Sequence, residues 1–427
     1  MDTTLTGLLR GLIGASLAPK WLGAVTRANE GDAVGLCRAL LSTRGEVSGI
    51  AIADRILSLI EQMDDDAATS FFHVLRDEFE VDRAAVLEAS KAIQSGAPEA
   101  LTDLQRAAEP PRQELFRRLN AAPRGTARLV DMRSRLLKAL RHDRTLAPID
   151  TDLRHLLRSW FNRGFLVLRH IDWSSPAALL EKIIAYEAVH AIGDWDALRE
   201  RLQPRDRRCF AFFHPAMPDE PLIFVEVALT RGVATSIDAL LSSPRADVSP
   251  ESADTAIFYS ISNCQKGLSG ISFGALLIKQ VVADLKADLP NLKTFATLSP
   301  VPGLAKALKD NNQTPETQEA LQQLPGLTAA YLVRAKDAFG KPLDPVARFH
   351  LGNGAVLHRI NTDADRSPTG QARSFGMMVN YLYELDRIEA RHEAFAANGD
   401  VAISQEVRAH LKDAPTQPDK YKAARTA

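Results

Sequence analysis

The stretch from Ala256 to Leu289, AIFYSISNCQKGLSGISFGALLIKQVVADLKADL, collects residue types suited to holding phosphate. A β-rich apolar run (Ile257, Phe258, Tyr259, Ile261) leads through a Gly/Ser turn into an amphipathic helix. Gly267, Gly270 and Gly274 stand where the chain must change direction, and a missing Cβ lets backbone N–H groups come close to a ligand. A helix N-terminus adds unpaired N–H groups and the positive end of a dipole, a fit for a pyrophosphate. The arrangement points to a phosphorylated ligand such as coenzyme A. Its spacing matches neither the P-loop nor the dinucleotide fingerprint, and a plain tight strand-to-helix connection uses the same residues.

Ser299, in Leu298-Ser299-Pro300, closes the apolar segment Phe295–Leu298 and precedes Pro302-Gly303. A serine at such a strand end can hold its hydroxyl rigidly toward a pocket; the alternative is a turn-initiating Ser-Pro. No Gly-x-Ser-x-Gly elbow surrounds it, which speaks against a hydrolase triad. His350, in Phe349-His350-Leu351-Gly352-Asn353-Gly354, is expected on an apolar strand beside a glycine turn. There it is either a partly desolvated acid/base group or a hydrogen-bonded structural residue. Asn380 and Tyr383, in Val379-Asn380-Tyr381-Leu382-Tyr383, are candidates to hydrogen-bond a substrate carbonyl, or else part of the packing. His214, in a Pro-rich hairpin loop, and His358, at a strand position, are weaker candidates. None of the histidines has metal-ligand spacing with another or with a carboxylate, and no metal is expected.

The elements that must position these residues divide the chain in two. The first ~165 residues read as helices. Ile52, Ile56, Leu59, Ile60 and Met63 mark one helical face, with Ser48 as its N-cap, and Phe71, Phe72, Leu75 and Phe79 mark the next. Breaks at Gly96-Ala97-Pro98, Pro110-Pro111 and Pro123-Arg124-Gly125 separate later helices, and strand-like alternation is nearly absent. Arg112, Arg117, Arg118, Arg128, Arg133 and Arg135 read as the solvated sides of bundle helices, a partner surface being the alternative. After Arg163-Gly164 strands and helices mix. RRCFAFFHPAMPDEPLIFVEVALT is strand–loop–strand, strand-like segments flank Gly352-Asn353-Gly354, and a last strand lies near Met377–Tyr383.

Composition excludes several classes. Lys plus Arg (52) balances Asp plus Glu (53), so no global charge favours nucleic acid or an acidic membrane. No run reaches the ~18 apolar residues that a bilayer-spanning helix needs. Cys37, Cys209 and Cys264 are far apart, as in a reduced cytosolic protein. The N-terminus, MDTTLTGLLRGLIGASLAPK, begins with an acid where a secretory signal carries positive charge, and reads as a first packed helix. The basic C-terminal KYKAARTA reads as a solvated tail without a Ser-Lys-Leu address. A cytoplasmic location is expected.

Five segments appear in one order: HPAMPDEPLIFVEVAL, AIFYSISNCQKGLSGISFGALLIKQVV, FATLSPVPG, DPVARFHLGNGAVLHRIN and MVNYLY. Together they resemble the malonyl-CoA decarboxylase family, of the bacterial type, over most of the chain after about residue 165; the N-terminal part matches more loosely. The resemblance implies a multidomain α and α/β chain. Residues 1–165 would form an N-terminal helical bundle serving oligomerisation. Residues 166–427 would form a GNAT-type (acyl-CoA N-acyltransferase-like) mixed α/β catalytic domain. It places the catalytic serine on Ser299, the catalytic histidine on His350, and the malonyl-CoA-binding loop on Ser269, Gly270, Ile271, Ser272, Phe273, Gly274 and Ala275. Ser260, Asn380 and Tyr383 match positions near the site. Ser272 departs from the carboxylate that eukaryotic relatives tend to carry, so no acidic role is carried over to it.

The chemistry this implies is loss of CO₂ from malonyl-CoA through a thioester enolate, giving acetyl-CoA. Ser299 would handle the malonyl carboxylate, and His350, protonated when CO₂ leaves, would protonate C2. The thioester carbonyl is itself the electron sink, so no cofactor is expected beyond the coenzyme A of the substrate. A homotetramer or other homo-oligomer is implied, with no nucleic-acid or membrane partner. Two other readings remain: a GNAT-type acyltransferase using an acyl-CoA donor, since fold alone does not choose the reaction, and a non-catalytic CoA-binding regulatory protein.

Overall fold

The computed structural model describes residues 32–414 of the 427, apart from 44, 97, 243–247, 272–273 and 316. The expectations for the N-terminal helix, the C-terminal tail, and Ser272 and Phe273 fall outside the described residues. The chain divides into two compact units.

The first comprises the described residues up to Phe165 with two later segments, His214–Pro218 and Gln265–Ile271. Its helices are α1 (Ala33–Ser42), α2 (Glu46–Gln62), α3 (Asp65–Asp77), α4 (Arg83–Gln94), α5 (Ala100–Ala107), α6 (Pro111–Asn120), α7 (Gly125–Ala139) and α8 (Ala147–Trp160). Asp32, Asp64 and Asp82 cap the N-termini of α1, α3 and α4 by accepting backbone N–H groups. The α2 stripe Ile52, Ile56 and Ile60 is buried against Leu40, Phe71, Phe72, Phe116 and Leu136, as its spacing requires. Ser48 is not the cap of α2. That helix starts at Glu46, whose carboxylate suits the positive end of the dipole, and Ser48 lies buried inside it.

The arginines correct the sequence reading more strongly. Arg112 and Arg133 are not solvated; they are 3% and 1% exposed. Arg112 pairs with Asp152 at 2.5 Å and Glu80 at 2.9 Å. Arg118 donates to the carbonyls of Leu40 and Thr43, and Arg135 to those of Ile60 and Met63. The bundle uses arginine to satisfy carbonyls at helix C-termini, groups that no intrahelical N–H reaches.

The second unit holds an eight-stranded sheet in the order β1-β2-β3-β4-β5-β8-β6, with β7 also on β8. The strands are β1 (Val167–Ile171), β2 (Arg207–Phe213), β3 (Ile223–Thr230), β4 (Thr255–Asn263), β5 (Thr294–Thr297), β6 (Ser299–Pro300), β7 (Val356–Asn361) and β8 (Met378–Leu382). Its helices are α9 (Ala177–Tyr186), α10 (Trp195–Leu202), α11 (Ile237–Leu241), α12 (Gly274–Asp288), α13 (Leu304–Asp310), α14 (Gln318–Gln322), α15 (Leu324–Arg334), α16 (Pro345–Gly352), α17 (Pro368–Ser374), α18 (Ile388–Asn398) and α19 (Gln405–Asp413). The β2–β3 hairpin falls where its apolar runs place it. Two apolar clusters lie along one face of the sheet, one around Phe213, Phe224 and Ile183, the other around Ala228, Ile257 and Leu298, for Phe224 and Ala228 have the same parity on β3. A helical bundle followed by mixed α/β structure is the architecture expected from the sequence.

One element was misread. The segment carrying His350 is not a strand but helix α16. Asp344 accepts the N–H groups of Val346 and Ala347 through Oδ1, and Pro345 occupies the first helical position, where its missing N–H costs nothing. This start signal outweighs the β-rich composition of the run. No helix of the described residues is long and apolar enough to cross a membrane.

Candidate active site

β4 and β5 run parallel from Thr255↔Thr294 to Phe258↔Thr297, and there the ladder stops. β4 continues to Asn263 paired only with β3, while the chain after β5 turns to β8 as β6. At the point of parting, Ser260 faces Glu226 and Phe258 faces Val227, so Tyr259 is an extra, bulged residue. The edge of β4 beyond Phe258 is therefore unpaired, and a pocket of about 260 Å³ opens beside it. Phe258, Tyr259, Ile261 and Asn263 of β4 line it, with Ser299 and Pro300 of β6, Pro345, Val346, Phe349 and His350 of α16, and Val189.

Ser299 and His350, 51 residues apart, meet on this pocket with Oγ to Nε2 at 3.3 Å. Ser299 commits its one proton to Thr297 Oγ1 at 2.8 Å, and Thr297 Oγ1 also accepts the Tyr381 N–H at 3.1 Å. Ser299 is then the acceptor from Nε2–H, which leaves Nδ1 to accept the Tyr383 hydroxyl at 2.8 Å. The hydrogen-bond network thus assigns the Nε2–H tautomer to His350. The Tyr381 ring stacks on the imidazole at 4.6 Å, and Phe349 meets it edge-on at 5.0 Å. Burial pushes the His350 pKa from 6.5 down to about 3. The imidazole on this pocket is consequently neutral near pH 7, whereas the scheme implied by the resemblance has it protonated at the moment CO₂ leaves. Burial also pushes the Tyr383 phenol well above its ordinary value.

The other expected residues divide. Tyr383 joins the pair directly. Asn380, on the same strand, has its amide donors on the carbonyls of Thr297 (2.7 Å) and Ala234 (2.9 Å), and its Oδ1 accepts from Asn361 (2.8 Å). It joins β8 to β5 and keeps no donor for a substrate. Ser260 donates to the Glu187 carboxylate at 2.7 and 2.9 Å instead of facing the pocket. Of the expected loop, Ser269, Gly270 and Ile271 belong to the helical unit, and Gly274 and Ala275 open α12. Gly270 has φ +77°, a value suited to glycine. His214 is structural: its ring bonds to the Trp160 carbonyl and accepts the Ala216 N–H. His358 lies on β7 and does not line the pocket.

Thr297, Tyr381 and Glu187 were not singled out from the sequence. The period of two along β8 was a usable signal for one of them, since it puts Tyr381 on the face of Tyr383 and Asn380 on the other. Among the described residues one trio, His170, Asp284 and Asp288, the middle one half-buried and the others exposed, has ligand atoms close enough for a metal, and it does not line the pocket.

Comparison with known proteins follows the same division. The family model described as the malonyl-CoA decarboxylase C-terminal domain matches residues 164–324 and 310–421, and that of the N-terminal domain matches 79–161. A mitochondrial malonyl-CoA decarboxylase of Anser anser anser is 36% identical over 343 residues, covering 69% of this chain and 68% of that protein. Its counterpart in Rattus norvegicus is 32% identical over 343 residues, covering 69% of each. The crystal structure of malonyl-CoA decarboxylase from Rhodopseudomonas palustris aligns with a TM-score of 0.85 at 49% identity, covering 90% of this chain and 99% of that one. The structure from Agrobacterium vitis aligns at 0.83 and 49% identity, covering 89% and 99%.

Proposed function

The chain belongs to the malonyl-CoA decarboxylase family, and on that premise we propose that it converts malonyl-CoA to acetyl-CoA and CO₂ with Ser299 and His350 as its catalytic pair. It is a carboxy-lyase. The observation that carries the assignment is the meeting of Ser299 Oγ and His350 Nε2 at 3.3 Å on a mostly apolar pocket, beside the unpaired edge of β4.

The two amides of the pantetheine arm can pair with the free edge of β4, as an added strand would, bringing the thioester to the pocket. That parting of β4 and β5 supports the GNAT-type reading of the catalytic unit. Ser299 orients the malonyl carboxylate by turning its hydroxyl proton from Thr297 Oγ1 to the substrate. Enclosure by Phe258, Ile261, Val346 and Phe349 removes water from that carboxylate and favours departure of neutral CO₂. The electron pair of the bond between C2 and the carboxylate carbon passes into the thioester carbonyl, which is electron sink enough that the reaction demands no further cofactor. C2 then takes the Nε2 proton of neutral His350, while Nδ1 draws the Tyr383 proton across their 2.8 Å hydrogen bond. A solvent proton restores the phenol, so each turnover consumes one proton overall.

The test is release of labelled CO₂ from carboxyl-labelled malonyl-CoA by wild type, Ser299→Ala and His350→Asn. Stoichiometric acetyl-CoA from wild type, with turnover at least 100-fold lower in both variants, is the expected result. Release that survives both substitutions overturns the site, and no release from folded wild type overturns the reaction. A homo-oligomer, a tetramer by resemblance, and a cytoplasmic location complete the reading. Leu87 on α4 and Leu101 on α5, both more than 60% exposed, support a partner for the helical unit, which sedimentation would reveal.

A further inference from the structure

A second cavity, of about 600 Å³, lies in the catalytic unit and is polar: Glu187, His190, Arg201, Asp365 and Arg373 are on its wall. Val189 lines this cavity and the reaction pocket alike. The segment that carries it is stitched to β4 by one carboxylate. Glu187 accepts the N–H groups of Val189 (2.7 Å) and His190 (2.8 Å), and also the hydroxyl of Ser260 at 2.7 and 2.9 Å and of Ser262 at 3.3 Å. Ser262 in turn accepts the Ala188 N–H at 3.2 Å. Ser260 and Ser262 are each 1% exposed, so the β4 side of the anchor is buried and fixed.

A valine adds its own stiffness, because its two methyl groups sit on Cβ and restrict χ1. With its backbone N–H held by Glu187, this wall resists displacement when a bulkier group arrives. A wall that yields discriminates poorly; a wall that cannot yield converts one methyl group into a difference in rate.

We infer that Val189 is the specificity-determining residue of the pocket, the partition that excludes malonyl thioesters carrying a substituent on C2, and that Glu187 and Ser260 are its positioning residues. This rests on the decarboxylase reading of the pocket. Wild type is expected to favour malonyl-CoA over methylmalonyl-CoA. Val189→Ala opens the partition toward the second cavity, and the ratio of kcat/KM for methylmalonyl-CoA to that for malonyl-CoA is expected to rise about 10- to 100-fold, the range one methylene group commands in an apolar pocket. Ser260→Ala loosens the wall without shortening it and is expected to raise the ratio about threefold or more, but by less than Val189→Ala does. Val189→Ile fills the space further and lowers the ratio. General damage to the fold lowers both rates together and leaves the ratio unmoved. A ratio within twofold of wild type in both Val189 variants overturns the inference, as does a wild type that uses the two thioesters equally well. Absence of CO₂ release from malonyl-CoA by wild type is a different result: it overturns the decarboxylase reading itself, and this inference with it.

Discussion

The protonation state of His350 gives the sharpest test of the mechanism. Burial moves its pKa from 6.5 to about 3, and no carboxylate beside it moves it back. Moving an imidazole that far costs its charged form ~5 kcal/mol, so at pH 7 only about one molecule in 10⁴ of the free enzyme carries imidazolium. The pH dependence of kcat/KM reports the free enzyme, and there two schemes separate. If imidazolium delivers the C2 proton, kcat/KM falls tenfold for every pH unit above about 3, or about 1000-fold between pH 5 and pH 8. If neutral imidazole delivers it, as proposed, kcat/KM shows no histidine step over that range. The assay is initial-rate CO₂ release at limiting malonyl-CoA in constant-ionic-strength buffers, with the folded state checked at each pH. A slope near −1 refutes the neutral donor. The same displacement has a signed effect on stability. Folded His350 takes up its proton only near pH 3 and unfolded His350 near 6.5, so its contribution is complete above pH 6.5 and is lost as pH falls toward 3.

Three further outcomes follow from named contacts. Tyr383→Phe keeps the ring but leaves His350 Nδ1 buried without its 2.8 Å donor; kcat should fall about 10- to 100-fold with KM little changed, equivalent to roughly 1–3 kcal/mol for an unsatisfied buried group. Steady-state kinetics checks this, and a kcat within twofold of wild type removes Tyr383 from the proton path. Arg133→Met leaves Asp150 and the carbonyls of Gly267 and Ser269 without their shared donor, and thermal or urea unfolding of the chain should show a loss of about 3–5 kcal/mol from the helical unit. Gly267→Ala would set a Cβ 1.9 Å from the Val130 carbonyl oxygen, backbone against backbone, so an unfolding midpoint close to wild type would contradict the packing of that turn.

What the sequence made legible is what local periodicity and resemblance encode. The α2 stripe, the β2–β3 hairpin and the strand–turn–helix around Gly267 to Gly274 were readable because each rests on neighbours in the chain. Ser299 and His350 came from a resemblance, and the structure brings them together across 51 residues. The failures have physical causes. His350 was placed on a strand because its flanking residues are bulky, although the Asp344-Pro345 cap was present and decisive. Arg112 and Arg133 look like surface charges until their carboxylate and carbonyl partners are known, and those come from other elements. Ser260 was placed near the site by the resemblance, and nothing local announces Glu187, 73 residues earlier, as its acceptor.

The position of the site also follows from a short piece of sequence. Thr294–Thr297 pairs with β4 for four residues, and Ser-Pro-Val-Pro comes almost at once. Pro300 and Pro302 have no N–H to donate, so a strand continuing along β4 would lose a ladder bond at alternate residues. The chain instead leaves β4 and takes two residues of pairing on β8, Ser299↔Val379 and Pro300↔Met378. That change of partner does three things at once. It strips the edge of β4 beyond Phe258, opens the pocket beside it, and makes Ser299 the first strand residue past the break. β8 and the residue that follows it then present Tyr381 and Tyr383 to His350, so one change of partner supplies the cleft, the serine and the support of the histidine. A serine placed earlier, inside β5, would sit in a closed ladder with no cleft to face; the prolines are what put this one on the pocket.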